Sequence, residues 1–185
     1  MAQSIKKIGT HNSATGETAS FWSMFLNPFA KCQSKSLIEQ YKAGARLFDI
    51  RVKKYNDTLY CYHGPWRTSH SAQEVLRPFI NYCTEPIYIE LTWEGSTPSD
   101  EDIKIVQHLA DWIINNSKNA TVTRINKKTP WETIVPIHPV PYVGDGIGFL
   151  GIHGFRCLLP IPWLWSKLYK HPDFNSKTFM FVDFL

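Results

Sequence analysis

The sequence lacks several features that would each have fixed its class. No run approaches the ~20 apolar residues that a membrane-crossing helix requires, and Met1 to Ile8 has no apolar stretch of the secretory kind. This points to a cytoplasmic chain or one peripheral on a membrane, and a mature secreted form fits equally. There are only four cysteines, Cys32, Cys61, Cys83 and Cys157, and no C-x-x-C spacing. That argues against a zinc site and for buried thiols. No internal repeat or low-complexity tract is present. The net charge of +4 is a small excess, short of the basic stripe that nucleic acid selects. Nucleic acid is therefore not expected as a partner.

What is present suits one globular domain over residues 1–185, because 43% of the residues are hydrophobic and 19% charged. Short β-branched or aromatic runs between breakers predict strands at Ser4–Gly9, Ala45–Val52, Thr58–Tyr62, Pro86–Trp93, Ala120–Ile125 and Thr178–Leu185. Helical spacing predicts helices over Ser34–Lys42, Ser71–Tyr82 and Ser99–Ser117. In the last, Ser99 and Asp102 have the spacing of a capping box. Strands alternating with helices indicate an α/β fold with a parallel sheet, closed or open. Beyond Lys127, seven prolines from Pro130 to Pro172 predict extended loops with short helical turns.

Ionisable residues recur at strand ends. The first strand runs into Gly9-Thr10-His11-Asn12-Ser13, the second carries Asp49 and Arg51, the third ends in Tyr62-His63-Gly64, and the last contains Asp183. In a (β/α) barrel, the strand C-termini carry the active site. Cleaving a phosphodiester needs a base for the nucleophile and an acid for the leaving oxygen. Two histidines can serve both roles near neutral pH. A guanidinium stays charged and matches phosphate geometry, and a carboxylate behind a histidine fixes its tautomer. On pattern alone, Asp49 and Arg51 read equally as an ion pair capping a strand.

The same residues carry a resemblance. Gly9-Thr10-His11-Asn12-Ser13, the segment Gly44 to Arg51 (GARLFDIR) after Gln40, and His63-Gly64 resemble the catalytic X region of phosphatidylinositol-specific phospholipases C, and most closely the bacterial-type, metal-independent phosphodiesterases. The likeness is specific from Ile8 to Leu91, and Phe181-Val182-Asp183-Phe184 resembles the family's last barrel strand. It implies a distorted TIM barrel. A typical barrel has about 250 residues, so this chain of 185 implies a compact, trimmed one. It further implies cleavage of phosphatidylinositol, or its glycosylated form, to diacylglycerol and inositol 1,2-cyclic phosphate. His11 is then the general base, Asp183 its orienting carboxylate and His63 the general acid. Arg51 stabilises the phosphate, with Asp49 supporting it.

Asn12 falls where bacterial members have aspartate and calcium-dependent members asparagine. Arg51 stands where calcium-dependent relatives carry an acidic residue, so no metal and no other cofactor is expected. Thr92 replaces a bacterial lysine, and with Asn12 it is a candidate substrate contact. The expected partner is an inositol phospholipid at a membrane surface, met by a monomer. Trp163 and Trp165, in the aromatic and basic segment Phe155–Tyr169, and Trp22, in Phe21–Phe29, are candidate membrane contacts; core packing is the other reading of both segments. Gly146 to Gly151 spells G-x-G-x-x-G but neither follows a strand nor opens a helix, so it reads as a loop. Two other functions stay open: a headgroup-binding module of the same fold, and a phosphodiesterase for a different diester.

Overall fold

The computed structural model describes residues 8–123, 142–143 and 180–182. Its frame is a mixed sheet of eight strands with helices packed on it. The strands are β1 (Ile8–Thr10), β2 (Ala45–Tyr55), β3 (Thr58–His63), β4 (Trp66–Ser71), β5 (Ile87–Trp93), β6 (Ala120–Thr123), β7 (Tyr142–Val143) and β8 (Met180–Val182). Six run parallel in the order β7-β8-β1-β2-β5-β6. Among the described residues β6 and β7 do not pair, so the sheet is not a closed ring there.

The predicted alternation breaks at one place. Asn56 and Asp57 both take positive φ, 47° and 59°, the conformation of a tight hairpin turn that asparagine and aspartate tolerate. The chain therefore folds straight back, and the end of β2 pairs antiparallel with β3 in the register Val52↔Cys61 to Tyr55↔Thr58. A further strand not anticipated from sequence, β4, pairs antiparallel with β3. At the turn between them Gly64 has φ 56°, a conformation that favours glycine.

The helices begin where polar caps predict. In α3 (Leu37–Lys42), α4 (Ala72–Tyr82) and α5 (Asp100–Asn116), the side chains of Ser36, Ser71 and Ser99 each accept from the backbone N–H three residues on. Glu39, Glu74 and Asp102 return the bond to the cap. Two short helices, α1 (Phe21–Met24) and α2 (Asn27–Ala30), lie beside β4. Buried Trp66 packs with Ala19 and Ala30, and its indole N–H donates to the Asn27 side-chain carbonyl at 2.8 Å.

Strand alternation then divides β2 and β5 into two faces. Phe48, Ile50 and Val52, with Ile87, Ile89, Leu91 and Trp93, join Leu76, Phe79 and Ile80 of α4 and Val106, Leu109 and Ile113 of α5 in one apolar core. On the opposite face the parallel register sets Asp49 beside Glu90 and Arg51 beside Thr92. Burial on one face of this strand pair orients the charged residues on the other.

Candidate active site

His11 leaves β1 into a tight turn. Asn12 adopts the left-handed conformation, φ 45° and ψ 46°, which asparagine accepts more readily than most residues. Its backbone N–H donates to Asp49 Oδ2 at 3.0 Å, pinning the turn to β2. Buried Gln33 donates to the His11 carbonyl at 3.1 Å, and buried Gln40 to the Ser13 carbonyl at 2.8 Å. Thr15 closes the loop, donating to the Asn12 carbonyl and accepting from the Cys32 and Gln33 backbone N–H groups. The turn that carries His11 is thus built by polar groups with defined partners.

Arg51 ties three elements together. Its Nε donates to Asp49 Oδ2 at 3.2 Å, Nη1 to Glu94 Oε2 at 3.4 Å, and Nη2 to His11 Nε2 at 2.9 Å. A guanidinium can only donate, so in this contact His11 Nε2 accepts. Burial works against the Arg51 charge, but the Asp49 and Glu94 carboxylates outweigh it and hold its pKa above the ordinary value. Glu94 also reaches the turn after β3, accepting from the Gly64 N–H at 2.9 Å.

His63 arrives from the other side, at the end of the hairpin strand β3. Its ring centroid lies 6.5 Å from that of His11, at 73°. Nδ1 donates to the Ala30 carbonyl of α2 at 2.7 Å, with Cys32 Sγ 3.8 Å away. That leaves Nε2 as the atom that can face a substrate. Burial disfavours the charged ring, but the Cys32 sulfur and the Ala30 carbonyl outweigh burial, so the His63 pKa is raised. Cys32 is itself fully buried and accepts from Asn12 Nδ2 at 3.3 Å.

His11, Asn12, Asp49, Arg51, His63 and Thr92 therefore share one site. Thr92 is 2% exposed, and among the described residues neither its Oγ1 nor Asn12 Oδ1 has a hydrogen-bond partner. A buried hydroxyl left unpaired is costly, which suits a group that a ligand completes. Asp183, Trp163 and Trp165 lie outside the described residues, as do Phe155–Tyr169 and Gly146–Gly151. Trp22 is described and lies apart from the polar cluster, 77% exposed on α1, where its ring meets Phe21 and Phe25 edge-on or tilted. Among the described residues no three His, Cys, Asp or Glu side chains are arranged to hold a metal ion.

Comparisons with known proteins bear on the sequence and on the fold. The chain is 33% identical over 104 residues to a PI-PLC X-box domain-containing protein of Dictyostelium discoideum, which covers 52% of this chain and 14% of that protein. It is 32% identical over 101 residues to the 1-phosphatidylinositol phosphodiesterase of Listeria monocytogenes, covering 52% of this chain and 31% of the relative. One relative is thus named for a PI-PLC X-box domain and the other is a phosphatidylinositol phosphodiesterase. In fold, it superposes on the Listeria phospholipase structure with a TM-score of 0.53 at 17% identity, over 97% of this chain and 72% of that one. A Staphylococcus aureus variant gives 0.59 at 14% identity, over 97% and 86%. No protein-family model matches the chain. The chain thus spans less than a third of either curated relative.

Three parts of the cluster were not singled out as site residues from the sequence, although Glu90 and Glu94 flank Thr92 in it. Cys32 gave no signal, because a cysteine in a loop reads as an inert thiol. Glu94 and Glu90 did leave one: Glu90, Thr92 and Glu94 alternate with Leu91 and Trp93, so one face of β5 is polar at its C-terminal end. Glu90 is 6% exposed and lies beside Asp49 in register. Burial, reinforced by the Asp49 charge, pushes its pKa up to about 8, against the pull of Arg51 and His11.

Proposed function

We propose that this chain is a phosphodiesterase that cleaves phosphatidylinositol, or its glycosylated form, to diacylglycerol and inositol 1,2-cyclic phosphate, without a metal. The observation that carries the reading is the pairing of His11 and His63, 6.5 Å apart between ring centroids, with Arg51 Nη2 on His11. Two imidazoles at this spacing can flank one phosphorus centre, and one guanidinium beside them supplies the charge that phosphoryl transfer needs.

The phosphate takes over the Arg51 Nη2 donor and so releases His11 Nε2. That nitrogen removes the proton of the inositol 2-hydroxyl, whose oxygen attacks phosphorus as the bond to the glycerol oxygen breaks. His63 delivers its Nε2 proton to that leaving oxygen. Its raised pKa suits the acid role, because more of it carries the proton at neutral pH. Asp49 orients Arg51 through Nε, and Asp183 is the proposed orienting carboxylate for His11. The Thr92 hydroxyl and the Asn12 side-chain carbonyl are proposed substrate contacts. The six parallel strands, in one continuous order, support a trimmed (β/α) barrel with the site at its strand C-termini.

The exposed aromatics Phe21, Trp22 and Phe25 support docking at a membrane surface. They stand on α1 and at its C-terminal cap, just before α2, whose Ala30 carbonyl holds His63. Phosphatidylinositol vesicles in excess EDTA, followed by phosphorus NMR, test the reading. A cyclic phosphate signal in the wild type, lost in both His11→Ala and His63→Ala, is expected. Turnover only on adding calcium overturns the metal-free step, and no turnover in either condition overturns the substrate.

A further inference from the structure

Two carboxylates hold one guanidinium on the polar side of the β2–β5 pair, and a third carboxyl is buried on the same face. Arg51 is already engaged by Asp49 and Glu94. Glu90 is the third carboxyl: it shares their face by alternation, pairs in register with Asp49, and is 6% exposed. The charged and titratable groups about it are Asp49 and Arg51 from β2 and His11 from the turn after β1. Its register partner on the other side, Thr123 of β6, is uncharged. With Glu90 neutral, Arg51 offsets one of the two remaining carboxylates. With Glu90 ionised, the same face holds two uncompensated negative charges where a phosphate must bind.

We propose that Glu90 sets the charge of the phosphate site, which admits an anionic diester only while Glu90 carries its proton. The inference rests on the reading of Arg51 as the phosphate contact. Burial is what keeps that proton at neutral pH, since a carboxylate there lacks water and faces Asp49. Glu90 is thus a specificity-determining residue: protonated, it removes repulsion and offers an O–H to a phosphate or inositol oxygen. Ionised, it rejects anions while leaving the histidine pair in place.

The test uses two probes whose charge stays constant from pH 6 to 10, inositol 1,2-cyclic phosphate and dimethyl phosphate, titrated into the wild type and into Glu90→Gln. The amide mimics the protonated carboxyl. Affinities are expected to match near pH 6 and to diverge above pH ~8. The wild type should bind about tenfold or more weakly than the variant by pH 9.5, since each pH unit above the midpoint removes the binding-competent form tenfold. Carbon NMR of the glutamate carboxyl carbons in the wild type gives a readout that needs no activity. One resonance, absent in Glu90→Gln, is expected to titrate far above the usual carboxylate range. A Glu90 that titrates in the ordinary range, parallel pH curves for the two proteins, or no binding of either probe overturns the proposal. Binding of dimethyl phosphate with the expected divergence, but none of the cyclic inositol phosphate, upholds the Glu90 role and overturns the inositol substrate.

Discussion

Residues one position apart on β5 live under different constraints. Leu91 is fully buried in the apolar core against α4 and α5. Thr92 is almost as buried, yet it sits on the other face beside Arg51, with its hydroxyl unpartnered among the described residues. The apolar face accounts for why the strands hold together. The polar face carries buried carboxyls and an unpaired hydroxyl, which cost stability unless a ligand uses them. The difference follows the strand pleat: one face is packed against helices, and the other, the proposed working side, buries polar groups.

The comparison breaks most visibly at Leu91. Leu91→Ala is expected to lower the unfolding free energy by about 2–5 kcal/mol, read by urea titration, while kcat/KM per folded molecule stays near wild type. Arg51→Lys should do the reverse. A point charge cannot hold Asp49, Glu94 and a phosphate in one plane, so kcat/KM should fall by about 10²–10³ with little change in the urea midpoint. A large stability loss in the second, or an activity loss in the first, would erase the division of labour between the faces.

Two smaller effects sharpen it. Replacing both Trp22 and Phe25 with serine removes exposed rings and no core contact, so vesicle partitioning should weaken about tenfold or more while thermal stability holds. Thr92→Val keeps the shape and removes the unpaired hydroxyl. Stability is expected to hold or rise by up to about 1 kcal/mol, and kcat/KM to fall about tenfold if substrate completes that hydroxyl. Valine without any kinetic cost would show that Thr92 touches nothing that matters.

Much of this was readable from sequence, for a physical reason. The stretch Leu47-Phe48-Asp49-Ile50-Arg51 shows its alternation in the residue types, so the pairing of Asp49 and Arg51 on one face follows from strand geometry alone. Helix starts were readable because Ser99 and Asp102 satisfy backbone donors locally. The path of the chain after Val52 was not, since it depends on two residues at positive φ that a sequence merely permits. Cys32 was illegible for a related reason. Its role comes from a loop that brings its sulfur against His63, thirty-one positions away, and no local pattern encodes that contact.

That contact gives the smallest expected effect. Cys32 Sγ lies 3.8 Å from His63 Nδ1 and, with the Ala30 carbonyl, raises the His63 pKa against the opposing pull of burial. Cys32→Ala should therefore move the His63 midpoint downward, seen by nitrogen NMR of the ring, while His63→Gln identifies the resonance. The sign for stability follows. A histidine whose folded pKa is raised contributes stability that is full below its unfolded value, near ~6.5, and is lost as pH rises through the folded value. Between those two points the wild type should lose stability more steeply than Cys32→Ala. An unchanged midpoint would assign the raised pKa to the Ala30 carbonyl alone, and would return Cys32 to the packing side of the comparison.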